Sequence, residues 1–175
     1  MTPPTHLVSG YWIYKLSENI CEQGGTPLLS VALLGSMAPD IDGLFGKQMN
    51  NHRNTVFHTP LFWSSLFVIL GISAKLFEQS NLIPYLFAFS VGALTHLLLD
   101  WFSARTGGVR FFWPFSQKSY SLFATKPEKG NLPVLSNNKH LVIRFCKFYL
   151  ENKFLVISEV CIILSPLLVY LPFHI

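Results

Sequence analysis

Two ionisable side chains, His96 and Asp100, lie four residues apart in the otherwise apolar stretch G-A-L-T-H-L-L-L-D at 92–100. On a helix that spacing puts an imidazole and a carboxylate on one face, one turn apart. Burying such groups is costly unless they are paired or coordinate a metal. Upstream the chain adds His6, Asp40, Asp42, His52 and His58, so the seven candidates hold all three aspartates and four of the six histidines. In P-D-I-D at 39–42 two carboxylates can aim at a common point from a tight turn. Imidazole nitrogen with carboxylate oxygen suits Zn²⁺, Mn²⁺ or Fe²⁺, whereas an all-oxygen set would suit Mg²⁺ or Ca²⁺.

Seven ligands exceed the needs of one tetrahedral ion with an open position. They fit two ions sharing a bridging carboxylate, or one ion with a general base and supporting residues. A two-metal site would deprotonate a water and stabilise the leaving oxygen of a phosphoester. Arg53, beside His52, could neutralise the phosphate. Each residue alone has a plainer account. His6 could be an exposed or capping histidine, Asp40 could cap a turn, Arg53 could pair with a carboxylate, and His96 and Asp100 could bond each other. Their concentration in one set carries the metal reading. His140 and His174 read as surface residues.

The elements that must position these side chains read as helices. His6–Ile20 is moderately amphipathic, and Gly24-Gly25 then makes a turn, with Pro27 opening the helix Leu28–Ala38. Asp40–Gly43 reads as a loop, as does the polar stretch Gly43–Thr59, or as a short helix. Pro60 opens Leu61–Phe77, and Leu82–Phe102 is long enough to span a bilayer. Ser103–Lys153 changes to Gly, Pro, Ser, Asn and basic residues and holds nine of the thirteen Lys and Arg. Phe111–Phe115 is aromatic, as at a membrane interface. Phe154–Pro172 is a third candidate span, with Glu159 turned toward the bundle or near the headgroups and Pro166 a kink site. If Leu61–Phe77 and Leu82–Asp100 form a hairpin through Glu78–Asn81, then His58, Asp100 and the basic segment share one membrane side. Asp40, Asp42 and His52 join them there. The positive-inside rule makes that side cytoplasmic.

Composition agrees with membrane association: half the residues are hydrophobic, 13% are charged, and mean hydropathy is +0.39. The net charge of +4 reads as positive-inside loops or contact with anionic headgroups rather than nucleic-acid binding. Cys21, Cys146 and Cys161 are odd in number and widely spaced, which argues for free thiols. Met1–Thr5 lacks a basic n-region and Tyr11–Ile20 is too polar for an h-region, so insertion is expected to use internal apolar segments.

The chain resembles the YdjM family of bacterial inner-membrane, metal-dependent hydrolases. The resemblance rests on T-H-L-V-S-G at 5–10, A-P-D-I-D at 38–42, H-R-N-T-V-F-H-T at 52–59, G-A-L-T-H-L-L-L-D at 92–100 and G-V-R-F-F-W-P at 108–114. It implies a helical membrane protein with His6, Asp40, Asp42, His52, His58, His96 and Asp100 as ligand candidates. The family's H-R-G-x-T-H-S differs here: the second histidine comes six residues after the first rather than five, and Asn54 replaces glycine. Which of His52 and His58 ligates is therefore left open by the sequence.

The expectation is an all-α integral membrane protein, one domain over 1–175, with about three to five membrane-embedded helices and a His/Asp metal site at one membrane face. It comprises a basic cytoplasmic loop at about 103–153 and a C-terminal helix at about 154–172. The expected activity is that of a multi-pass inner-membrane hydrolase with one or two divalent transition metals, Zn²⁺ foremost. Metal-activated water would attack a phosphoester or lipid-headgroup substrate at the cytoplasmic face, with Arg53 holding the anion. The alternative is a non-catalytic membrane protein whose metal is structural or regulatory.

Overall fold

The computed structural model describes residues 1–22, 24–44, 55–130 and 139–170. Among these the chain is helical, with a single isolated bridge, Val109 to Tyr120, and no strand. The helices are α1 (Pro3–Cys21), α2 (Thr26–Met37), α3 (Pro60–Leu76), α4 (Ile83–Ser103), α5 (Lys139–Glu151) and α6 (Lys153–Tyr170). Proline stands in the first turn of each of the first four, where its missing N–H costs no intrahelical bond. Glu22 (φ 52°) and Glu78 (φ 57°) take left-handed conformations just past α1 and α3, turning the chain back.

α1 to α4 run alternately up and down. The start of α1, the end of α2, the start of α3 and the end of α4 therefore gather at one end of the bundle. α2 packs closest on α4, because small residues face each other there. A Cβ on Gly35 would fall on the Phe89 carbonyl, and one on Gly92 would lie 2.9 Å from the Ser36 nitrogen and 3.0 Å from the Ala32 oxygen. Glycine at both sites lets the two backbones touch. One apolar cluster, Ile13, Leu28, Ala32 and Ala88, fills the bundle. A second, Trp63, Ala93, Leu97 and Val109, lies nearer the end where the four helix ends meet. α6 leans on α1, joined by Trp12 Nε1 donating to Ser165 Oγ at 2.8 Å.

Polarity is distributed unusually. Thr5, Ser9, Ser17, Ser36 and Ser90 are buried, while Leu34, Val68, Ile69, Ile72, Leu76, Ile157 and Leu168 point outward. Exposed serines return their hydroxyls to the preceding turn, Ser73 to Ile69 O at 2.9 Å and Ser158 to Phe154 O at 2.8 Å. Among the described residues one helical stretch, Ser80–Ser103, is long and apolar enough to cross a membrane; Thr26–Ile41 and Pro60–Leu76 are apolar but shorter.

Two expectations change. Asp40–Gly43 is no open loop: Ala38–Leu44 continues from α2 as a 3-10 helix, since Pro39 removes an α-helical donor but holds a φ that a tighter helix accepts. The basic region 103–153 contains a full helix, α5. Its apolar Leu141, Phe145 and Phe148 recur at helical spacing among Lys139, Arg144 and Lys147, and Phe148 is buried.

Candidate metal centre

Four side chains converge at the gathered helix ends: Asp40, His58, His96 and Asp100, each offering one atom within 4.8 Å of the others. His96 Nε2 lies 3.4 Å from Asp40 Oδ1 and 3.6 Å from Asp100 Oδ2. His58 Nε2 lies 3.5 Å from Asp40 Oδ1 and 3.6 Å from Asp100 Oδ2. These separations are long for hydrogen bonds. They match the edge of a tetrahedron whose centre is a metal about 2.1 Å from each ligand, an edge of about 3.4 Å. The residues present therefore fit a four-coordinate ion.

Tautomer and orientation agree with this. His96 Nδ1 is 2.7 Å from the Ser36 carbonyl oxygen. A carbonyl only accepts, so the neutral ring carries its proton on Nδ1 and turns the Nε2 lone pair into the cluster. That contact exists because Gly35 and Gly92 bring α2 against α4 one turn away. His96 Nε2 has no hydrogen-bond partner, although it is buried. Asp100 is 1% exposed, a costly place for a carboxylate without cationic company. Its Oδ1 accepts from the Met1 amino group at 2.5 Å and lies 3.6 Å from His6 Nε2, while Oδ2 faces the two other histidines.

His58 is positioned by loops rather than a long helix. It ends the 3-10 turn Val56–His58, and Trp63 Nε1 donates to Phe57 O at 2.7 Å. Arg110 Nη2 donates to Thr55 O at 2.8 Å, and its Nη1 to Gln117 Oε1 at 2.8 Å. The paired bonds of Val109 and Tyr120, 2.8 and 2.9 Å, close the loop that carries Arg110.

His6 stacks on His96 with ring centroids 3.7 Å apart and is fully buried, but it lies outside the group of four. Burial lowers its pKa to about 4, outweighing the raising effect of Asp100. Asp42 belongs to the same 3-10 segment as Asp40, its side chain outside the described set. His52 and Arg53 lie outside the described residues. His58 stands in the cluster.

Sequence reasoning missed the Ser36 carbonyl, Arg105 and Arg110. No side-chain type marks a carbonyl. Both arginines read as part of a basic run, Arg110 also within the motif G-V-R-F-F-W-P, and neither was given a partner, although Glu159 in an apolar helix called for a buried cation. That cation is Arg105, whose Nη1 is 2.8 Å from Glu159 Oε1.

The family model described as YdjM inner membrane protein matches residues 1–173, so the chain belongs to that family. No curated protein and no solved structure matched the chain.

Proposed function

We propose that this YdjM-family inner membrane protein is a metal-dependent hydrolase acting on a phosphoester at the membrane surface. The observation that carries the reading is the cysteine-free set Asp40, His58, His96 and Asp100, its four His–Asp separations matching tetrahedral edges, with Asp40 alone 26% exposed and the others essentially buried. Structural zinc is usually held by cysteine, and catalytic zinc by histidine and carboxylate. Here all three cysteines stand as free thiols.

Bound at this cluster, a divalent transition metal such as Zn²⁺, with Mn²⁺ or Fe²⁺ as alternatives, supplies Lewis acidity and an activated water. The chain's own groups do the rest. Asp100 and His96 hold the deep side of the site, fixed on consecutive turns of α4. The Ser36 carbonyl keeps the His96 proton on Nδ1. Asp40, the ligand that solvent reaches, faces an entering substrate. Arg53 would neutralise the phosphate.

Membrane embedding draws support from the buried serines and outward leucines and isoleucines, an arrangement that suits lipid better than water. The basic stretch after α4 leaves the bundle at the site's end, which by the positive-inside rule supports a site facing the cytoplasm. A second reading, a metal that only staples helices, is favoured by one fact: four protein ligands can complete a tetrahedral shell.

The test is elemental mass spectrometry of purified wild type, His96→Ala and Asp100→Ala, followed by phosphoester turnover. About one to two metal equivalents are expected in wild type, lost in both variants, with turnover that follows metal content. Metal without turnover on any phosphoester leaves the structural reading. No metal in folded, metal-supplemented protein overturns both.

A further inference from the structure

Arg105 stands just past the end of α4, 8% exposed, yet only part of its donor set is used. Nη1 donates to Glu159 Oε1 at 2.8 Å and to Ser103 O at 3.3 Å, while Nε and Nη2 have no hydrogen-bond partner. Unused guanidinium donors in a buried site are costly. The fork they form matches a phosphate or carboxylate. Its plane is held over the Tyr149 ring, 3.6 Å from the centroid, and the Tyr149 hydroxyl donates to Glu159 Oε1 at 2.6 Å. The guanidinium is thus fixed in orientation before any ligand arrives.

Arg105 lines two cavities. The first, about 430 Å³, has a largely apolar wall that includes Pro3, Phe145, Tyr149 and Leu150. The second, about 530 Å³, carries Lys126, Lys153 and Glu151. The first cavity also adjoins the metal cluster. Met1 and Ser103 line it, the Met1 amino group touches Asp100 Oδ1, and Ser103 follows Asp100 on α4. One wall is α5, whose exposed Val142, Ile143 and Leu150 accompany Lys139, Arg144 and Lys147. That is the pattern of a helix lying in a lipid–water interface.

We infer that this cavity binds an anionic amphiphile, its acidic headgroup held by the free edge of Arg105 and its hydrocarbon chain by the apolar wall under α5. A free phosphate would satisfy Arg105 but leave that wall without an occupant. Binding stands independently of catalysis. Only the identification of the amphiphile as substrate rests on the hydrolase reading above.

The experiment uses the full-length protein in detergent micelles. Its probes are a short-chain phosphonate analogue of phosphatidic acid, the matching uncharged diacylglycerol, and inorganic phosphate, titrated by calorimetry. Two variants accompany wild type: Arg105→Lys, which keeps the charge and loses the fork, and Cys146→Trp, which fills the cavity from its exposed rim. Saturable binding of the phosphonate is expected, with either variant weakening it about tenfold or more and the other two probes binding far more weakly. Equal affinity for inorganic phosphate, or phosphonate binding untouched by Cys146→Trp, overturns the inference. If Arg105→Lys does not fold, Cys146→Trp decides. Turnover of the phosphate ester separates the two claims. Cavity-dependent binding without turnover of any phosphoester keeps this inference and removes the hydrolase reading, whereas turnover indifferent to Cys146→Trp removes this inference alone.

Discussion

At the scale of single residues, the chemistry follows from burying ionisable groups where water does not compensate them. His6 shows the cost most directly. Its ring is fully buried and its pKa is lowered from 6.5 to about 4. Between those values the unfolded chain binds a proton that the folded chain refuses. The stabilising contribution is therefore complete above pH 6.5 and is lost as pH falls to about 4, an order of about 3 kcal/mol. Thermal unfolding of metal-stripped protein should show a midpoint that drops across this window, and His6→Gln should flatten the slope. A second prediction concerns Arg110, which touches no ligand atom. Its Nη2 holds the Thr55 carbonyl three residues before His58. Arg110→Met should weaken metal affinity about tenfold, as loss of a supporting contact does, with helix content unchanged by circular dichroism. A metal titration with a competing chelator measures the change.

Helices contribute distance rather than chemistry. The α2–α4 contact is as close as it is because Gly35 and Gly92 carry no Cβ, and that closeness brings the Ser36 carbonyl to His96. Gly92→Ala would force the pair apart by a few tenths of an ångström and disturb the His96 tautomer as well as packing. It should cost about 1–3 kcal/mol and reduce metal content. Gly71→Ala, where an added Cβ meets nothing within 4 Å, should be neutral or stabilise by about 0.5–1 kcal/mol. Comparing the two in thermal unfolding and metal content separates close packing from helix propensity. α3 positions His58 less directly, since the histidine precedes the helix and depends on Trp63 to hold the turn.

For the molecule as a whole, the question is how the bundle sits in its membrane. Under the proposed reading, buried serines and threonines with outward aliphatic chains suit an apolar surrounding, and α5 with its lysines and arginine would lie where that surrounding ends. Cys146 is exposed on α5. With Cys21 and Cys161 replaced by serine, a membrane-impermeant maleimide should label Cys146 in inverted vesicles and leave right-side-out vesicles unlabelled. The opposite pattern would place the metal centre on the outer face.

The sequence determined a good part of this. The i, i+4 pair in an apolar run placed His96 and Asp100 on one helical face. Pro27 and Pro60 marked the starts of α2 and α3, and the hairpin of α3 and α4 put His58 and Asp100 at the same end, because those facts depend on local spacing and chain direction alone. The tertiary structure decided the rest. It set His58 in the cluster and His6 beside it, and it identified Arg105 as the partner of Glu159. It also turned part of a basic stretch into a helix with one buried face. These outcomes depend on which backbones approach across the bundle and where a loop closes by bonds to distant carbonyls. Neither residue type nor periodicity along the chain encodes those contacts, so they became legible only when the helices were packed.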